Sequence, residues 1–344
     1  MKTCLITTTV NVPHVLALYR AYDPDVFFLI AGDRKTPDVD VVNFLHDIPN
    51  HAYYGIDHQY KLGYKCARLI PENCIQRRNI MLLEALRMGF DRVISIDDDN
   101  IPMSPLYFYD FQRIFDDPFN GLAHAGGGWF DVGRWQFTRD GRTVCQRGIP
   151  QHAALYEEVG FVTDARVGVA QGLCIGDPDT SAIDRISQHP TIHHVSDLLR
   201  AGIVVDPRWA RTIWNSQNTA IIRELIPAWF MLPFCDRYDD VIASLICQRV
   251  MRERGLVAHF GSPVCWQSRN QHDLRKDLQA EMWGMNQIDA IVARLDDVEL
   301  PAGSVVEQTR AIFQALADPQ VLLSPTLEAA FAWLEDCEKV LEGA

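Results

Sequence analysis

The chain predicts an α/β fold, a mostly parallel sheet flanked by helices, with a C-terminal helical extension. Three observations carry that reading. Apolar runs of strand length alternate with segments of helical periodicity over the first hundred residues. Those runs are apolar on consecutive positions, as strands covered on both faces are. Beyond residue 270 only the helical pattern remains.

Thr3 to Thr8 reads as a first strand, and Pro13 to Tyr22 as a helix with proline near its first turn. Val26 to Ala31 is a second buried strand, ending in Gly32-Asp33. Thr36 can cap the next helix, which runs through Val41, Val42, Phe44 and Leu45. Residues 48–62, rich in His, Tyr and Gly, read as a loop. Asn73 to Met88 has apolar positions Ile75, Ile80, Leu82, Leu83 and Leu86, with Gly89 as a C-cap. Val93 to Ile96 is the next strand. In the less regular middle, Gly126-Gly127-Gly128 is a turn, and Trp129–Val132 and Val167–Ala170 read as strands. Arg237 to Arg254 is a helix opening on Tyr238-Asp239-Asp240, and Leu256 to Phe260 another strand. After residue 270, Leu274, Leu278, Met282 and Met285 line one helical face, and further helices follow over 308–316 and 327–341.

At 344 residues the chain is long enough for one large domain or two smaller ones. Its 48% hydrophobic and 22% charged residues are those of a globular protein. A net charge of −13 disfavours general nucleic-acid binding, which needs a basic surface. The N-terminus turns polar at Thr7-Thr8-Thr9, too soon for a signal peptide or a membrane span. Nine cysteines without a CxxC pair read as reduced thiols packed as small hydrophobes, hence a cytoplasmic location.

The most informative stretch is Val93-Ile94-Ser95-Ile96-Asp97-Asp98-Asp99-Asn100. Three carboxylates cannot be buried unpaired, so they belong at the strand's C-terminal edge, where open α/β sheets bind ligands. Adjacent like charges there call for a cation, and a hard divalent ion, Mn²⁺ or Mg²⁺, suits oxygen ligands. A solvated Asp-rich turn is the competing reading. Walker A, GxGxxG, GxSxG and HExxH sequences are all missing. A GT-A-like nucleotide-sugar enzyme survives these exclusions. Arg77 or Arg78 can then reach the diphosphate, and Asp33 a base or ribose, against the alternatives of a solvated basic face and a helix cap.

Several blocks resemble the reversibly glycosylated polypeptides, the UDP-arabinopyranose mutase family (glycosyltransferase family 75), and the related STELLO-like proteins. They are Gln76-Arg77-Arg78-Asn79 leading to Ser95–Asp99, Arg147-Gly148-Ile149-Pro150, Gln171-Gly172-Leu173 with Asp177-Pro178-Asp179, Asn218-Thr219-Ala220, and Arg237-Tyr238-Asp239-Asp240. Ser268-Arg269-Asn270-Gln271-His272-Asp273 is more similar to the STELLO side. The resemblance implies a GT-A-like catalytic domain over 1–270 with a helical extension, 271–344, packed on it. It implies that Asp97, Asp98 and Asp99 bind the metal and the sugar nucleotide, with His272 a late metal ligand and Gly172 at the nucleotide-sugar site. Arg147 takes the place of the arginine that becomes glycosylated or is needed for it. Asp239 and Asp240 face the sugar or acceptor, one of them as general base. The implied activity is metal-dependent transfer from a UDP-sugar to a small-molecule or protein acceptor. The alternatives are a UDP-sugar mutase, a self-glycosylating protein, or a catalytically idle partner subunit. A glycoside hydrolase is more distant. The C-terminal helices offer a surface for a homo-oligomer. Between Arg147 and Gly172 the chain is longer than the family pattern, and a second arginine near Arg147 has no clear counterpart. The sequence leaves open whether Arg166 replaces it.

Overall fold

The computed structural model describes residues 1–268 and 273–343. The N-terminal third alternates strands and helices: β1 (Thr3–Thr9), α1 (Leu16–Tyr22), β2 (Phe27–Gly32), α2 (Asp38–Leu45), β3 (His51–Tyr54), α3 (Ile56–Lys61), α4 (Arg78–Arg87) and β4 (Arg92–Ser95). Four of these strands lie in the order β3-β2-β1-β4 and pair in parallel, with Ile6 opposite both Leu29 and Ser95. Side chains alternate between two cores, as period-2 geometry requires. Cys4, Ile6 and Val93 face the core under α4, while Leu5, Ile94 and Ile96 face the one under α1 and α2. The expected loop at 48–62 holds β3 and α3 instead. Its tyrosines are amphipathic, and Tyr54 sends its hydroxyl to buried Glu84, so a polar-looking stretch joins the sheet.

The chain then runs through β5 (Asn100–Pro102), α5 (Tyr107–Asp116), β6 (Phe119–His124), β7 (Gly128–Phe130), β8 (Gln136–Thr138), β9 (Val159–Gly176), α6 (Ala182–Gln188), β10 (Ile192–Val195), α7 (Asp197–Ala201), β11 (Ile203–Val205), β12 (Ala210–Thr212), β13 (Thr219–Ile222), α8 (Asp239–Arg254) and β14 (Leu256–Gln267). β13 enters antiparallel to β4, and the 18-residue β9 pairs with β13 on one side and, in parallel, with β14 on the other. The expected strand at 167–170 is thus the centre of a much longer one. The α/β class, with a large central sheet flanked by helices and a helical C-terminal region, is the architecture that the strand–helix rhythm predicted.

The last region is α9 (Leu274–Asp297), α10 (Val305–Ala315) and α11 (Ser324–Glu342). A Ser304–Glu307 capping box starts α10. These helices share one core with α4 and α8, which joins Phe313 and Trp333 to Ile80 and Ile246. The Trp333 indole donates to the Pro227 carbonyl at 2.9 Å, and the Asp336 carboxylate accepts from the Lys65 and Cys66 N–H groups. The face expected of α9 is corrected. Met282 is exposed, and the buried side carries Asp277, Glu281, Gly284, Ile288, Ile291 and Leu295. Met285 still packs against the core, so the buried stripe is rotated to one side of the expected one, because the N-terminal half of α9 meets charged groups rather than an apolar core. Among the described residues no helix is long and apolar enough to cross a membrane.

Candidate active site at the sheet edge

The acidic turn emerges from the C-terminal end of β4, beside the equivalent ends of β1 and β2. Two cavities open there. One, of about 220 Å³, lies over Thr8, Thr9, Asp33, Arg78 and Asp98. The other, of about 240 Å³, is bounded by Arg147, Asp179, Gln217, Arg237, Asp239 and Asp240. They meet at Ile75, Asp97 and Asp99, which line both. A larger cavity of about 530 Å³ around Phe27, Phe111 and Arg92 lies at the opposite end of the strands, away from the acidic turn.

The three aspartates have different surroundings. Asp97 Oδ1 accepts from Arg78 Nη2 at 2.7 Å, and its Oδ2 accepts from Gln217 Nε2 at 2.5 Å. Asp98 turns the other way and accepts from the Thr9 hydroxyl at 2.6 Å. Burial raises its pKa, with the Asp97 charge adding to the effect. Asp99 Oδ1 accepts from the Asn100 amide at 3.3 Å. Among the described residues no group of three or more His, Cys, Asp or Glu side chains is placed to hold a metal ion. Each Asp97 oxygen already accepts a hydrogen bond, one from Arg78 and one from Gln217, and Asp98 points to Thr9. As placed, the acidic turn would supply only part of a cation's oxygen ligands. His272 lies outside the described residues.

The paired arginines separate by role. Arg77 is fully buried and spends its donors on the carbonyls of Ala67, Ile70 and Pro71 and on the Tyr60 hydroxyl, so it fastens the 67–71 loop. Arg78 reaches the acidic turn and also donates to Ser95 Oγ and the Ser216 carbonyl. Asp33 accepts from the Arg34 and Cys74 N–H groups, which ties two loops together at the rim of the smaller cavity. Gly172 borders neither of the two chambers. A Cβ there would sit 2.4 Å from Asn218 Nδ2 and 2.8 Å from the Pro263 carbonyl, so its lack of a side chain serves close packing within the sheet.

The larger chamber is built around Arg147. Its guanidinium donates to Asp179 through Nε and Nη2 and to Asp240 Oδ1 at 3.2 Å. Burial disfavours its charge, but Asp179, Asp240, Asp239 and Glu281 together push its pKa well above the usual value. The other Asp240 oxygen accepts from Ser216 N–H and Oγ. Asp239 accepts from Gln76 Nε2 at 2.7 Å. Burial, and then the neighbouring Asp240 charge, push the Asp239 carboxyl up to about 7. Both acids sit at the start of α8, where a helix favours negative charge. A buried carboxyl that titrates near neutrality beside a cavity is suited to proton transfer.

Sequence reasoning missed Asp179, Gln217, Gln267 and Glu281 as members of this neighbourhood. Asp179 was present only as part of a matched block. Glu281 flanks the expected apolar stripe, one turn before Met285, but a carboxylate there reads as a solvated edge until its buried partners are known.

No known protein family matches the chain, and no curated protein matches it. The resemblance to glycosyltransferase family 75 therefore has no support from either comparison. Among solved structures the chain is similar to a Bacillus anthracis protein described as a glucose-1-phosphate thymidylyltransferase in complex with a sucrose. That likeness has 10% identity over 87% of this chain and 97% of the other, with a TM-score of 0.28. A likeness at that level assigns no activity.

Proposed function

We propose that this chain is a nucleotide-sugar-dependent glycosyltransferase whose two joined cavities hold the two halves of the donor. The observation that carries it is the junction of the cavities at Asp97 and Asp99, at the C-terminal edge of the parallel strands. The nucleotide would occupy the side of Thr9, Asp33 and Arg78, and the sugar the side of Arg147, Asp239 and Asp240. In the transfer an acceptor oxygen forms a bond to the anomeric carbon as the bond to the diphosphate breaks. The diphosphate leaves with the electron pair, and Asp239 takes the acceptor's proton.

Under this reading a divalent cation, Mn²⁺ or Mg²⁺, would need diphosphate oxygens to complete its ligands, because Asp97 and Asp98 are already engaged. The mutase alternative, with sugar attached to Arg147, needs a neutral guanidine nitrogen as nucleophile. The ion pairs with Asp179 and Asp240 oppose that.

Isothermal titration with UDP and a panel of UDP-sugars, with and without Mn²⁺, tests the proposal. Binding of UDP that weakens in Asp97→Asn, with slow UDP release from one UDP-sugar, is the expected result. Failure of every nucleotide and nucleotide sugar to bind overturns it. A covalent mass gain on the protein would favour the self-glycosylating alternative.

A further inference from the structure

We infer that Glu281, on α9, is a positioning residue for the Asp239–Asp240 pair, acting through Arg237, Asp179 and Arg147. Its kinetic consequences rest on the transferase reading above, whereas its effect on Asp239 can be measured without turnover.

Four contacts build the connection. Glu281 Oε1 accepts from Arg237 Nε at 3.0 Å, and its side chain is fully buried. Arg237 Nη2 donates to Asp179 Oδ1 at 2.7 Å. The other oxygen of Asp179 holds Arg147, which also reaches Asp240. Charges thus alternate from the C-terminal helix to the chamber: Glu281, Arg237, Asp179, Arg147, Asp240. The second Glu281 oxygen accepts from the Ala182 N–H at 2.8 Å, at the first residue of α6. One side chain therefore fixes two segments at once, the one leading out of Asp179 and the one leading into Asp239.

The same helix sets Tyr238, the residue before Asp239. A Cβ on Gly284 would lie 2.0 Å from the Tyr238 ring, so the ring rests on bare helix backbone. With Tyr238 seated on α9 and Arg237 gripped by Glu281, the start of α8 has little freedom to turn. A geometric error of an ångström at such a site is costly in rate.

Electrostatics give the sign. The groups around Asp239 are Asp240 beside it, Arg147 from the loop between β8 and β9, Asp179 after β9, Cys235, Asp236 and Arg237 from the turn before α8, and Asp277 and Glu281 from α9. Tyr238, Gln76 and, across the chamber, Asp97 and Asp99 are the others among the described residues. Replacing Glu281 by its neutral isostere removes a negative charge and leaves Arg237 less compensated. Both effects favour the Asp239 carboxylate, so its titration moves to lower pH.

The test is a ¹³C-carboxyl NMR titration of aspartate-labelled wild type and Glu281→Gln, with Asp239→Asn to assign the signal. The expected result is a fall of the Asp239 midpoint by about half a pH unit or more. In steady state kcat falls roughly tenfold while KM for the sugar nucleotide stays within about twofold, and the acid limb of the rate profile moves the same way. An unmoved midpoint overturns the inference, as does a loss carried by KM. If the wild type turns over no sugar nucleotide, the transferase reading fails while the titration still decides the role of Glu281. Should Glu281→Gln not fold, Asp277→Asn, which removes the carboxylate 3.7 Å from Arg237, must shift the midpoint in the same direction.

Discussion

Asp239 is where function and stability oppose each other. Its carboxyl is pushed up to about 7 by burial and by Asp240. A general base must be ionised, so activity should rise as pH passes through about 7. The stability consequence has the opposite sign. Between the ordinary carboxyl range and about pH 7 the folded state binds a proton that the unfolded state has lost, so stability falls as pH rises across that window. Asp239→Asn is therefore expected to lower kcat by roughly 10² to 10⁴. The same change should raise Tm by a few degrees at pH 8, relative to wild type; calorimetry beside a pH–rate profile checks both. Wild-type activity in Asp239→Asn would transfer the base role elsewhere. A second expectation concerns cations. Asp97 is occupied by Arg78 and Gln217, so Mn²⁺ alone should bind weakly and bind more tightly once UDP is present. Titration calorimetry with and without UDP reads this, and tight binding of Mn²⁺ alone would contradict it.

Individual elements carry the site through close approaches that tolerate no added atom. Gly284→Ala forces the Tyr238 ring off α9. The expected outcome is a fall in kcat with the fold retained, since an overpacked contact costs about 1–3 kcal/mol. Circular dichroism and kinetics on the same preparation separate these effects, and an unchanged kcat would remove α9 from the account. Gly172→Ala in β9 meets the Asn218 side chain and the Pro263 carbonyl from the middle of the sheet. Its effect should appear as lost stability, seen in thermal unfolding. Sequence reasoning had linked Gly172 to the ligand because a matched block gave it prominence. The tight contacts that explain the residue come from strands far apart in the chain. The buried side of α9 was hidden for a related reason. Its carboxylates look solvent-facing until Arg237 and the Ala182 N–H are brought to them.

At the scale of the whole molecule, one core runs under the sheet and through the C-terminal helices, so the two regions are expected to unfold together. Trp333→Ala empties the centre of that core and strands the Pro227 carbonyl, at a cost of about 3–5 kcal/mol. Urea unfolding followed at a tryptophan in the sheet region and at one in the C-terminal helices should stay coincident in the wild type. Separate transitions would show that the helices are an independent unit. The α/β class was legible in the sequence because β1, β2 and β4 are short apolar runs separated by helical periodicity, and such patterns are local. The position of Asp97–Asp99 was legible too, because charge following a buried strand has only the sheet edge to occupy. Asp239-Asp240 at a helix start belongs with these. What the tertiary structure decided is how those charges are satisfied: Arg78 on Asp97, Thr9 on Asp98, Arg147 between Asp179 and Asp240, and Glu281 behind Arg237. Partners of this kind are separated by up to about a hundred residues and follow no periodicity. Their pairing is set by the cost of burying each charge alone, and that cost exists only once the chain has folded around them.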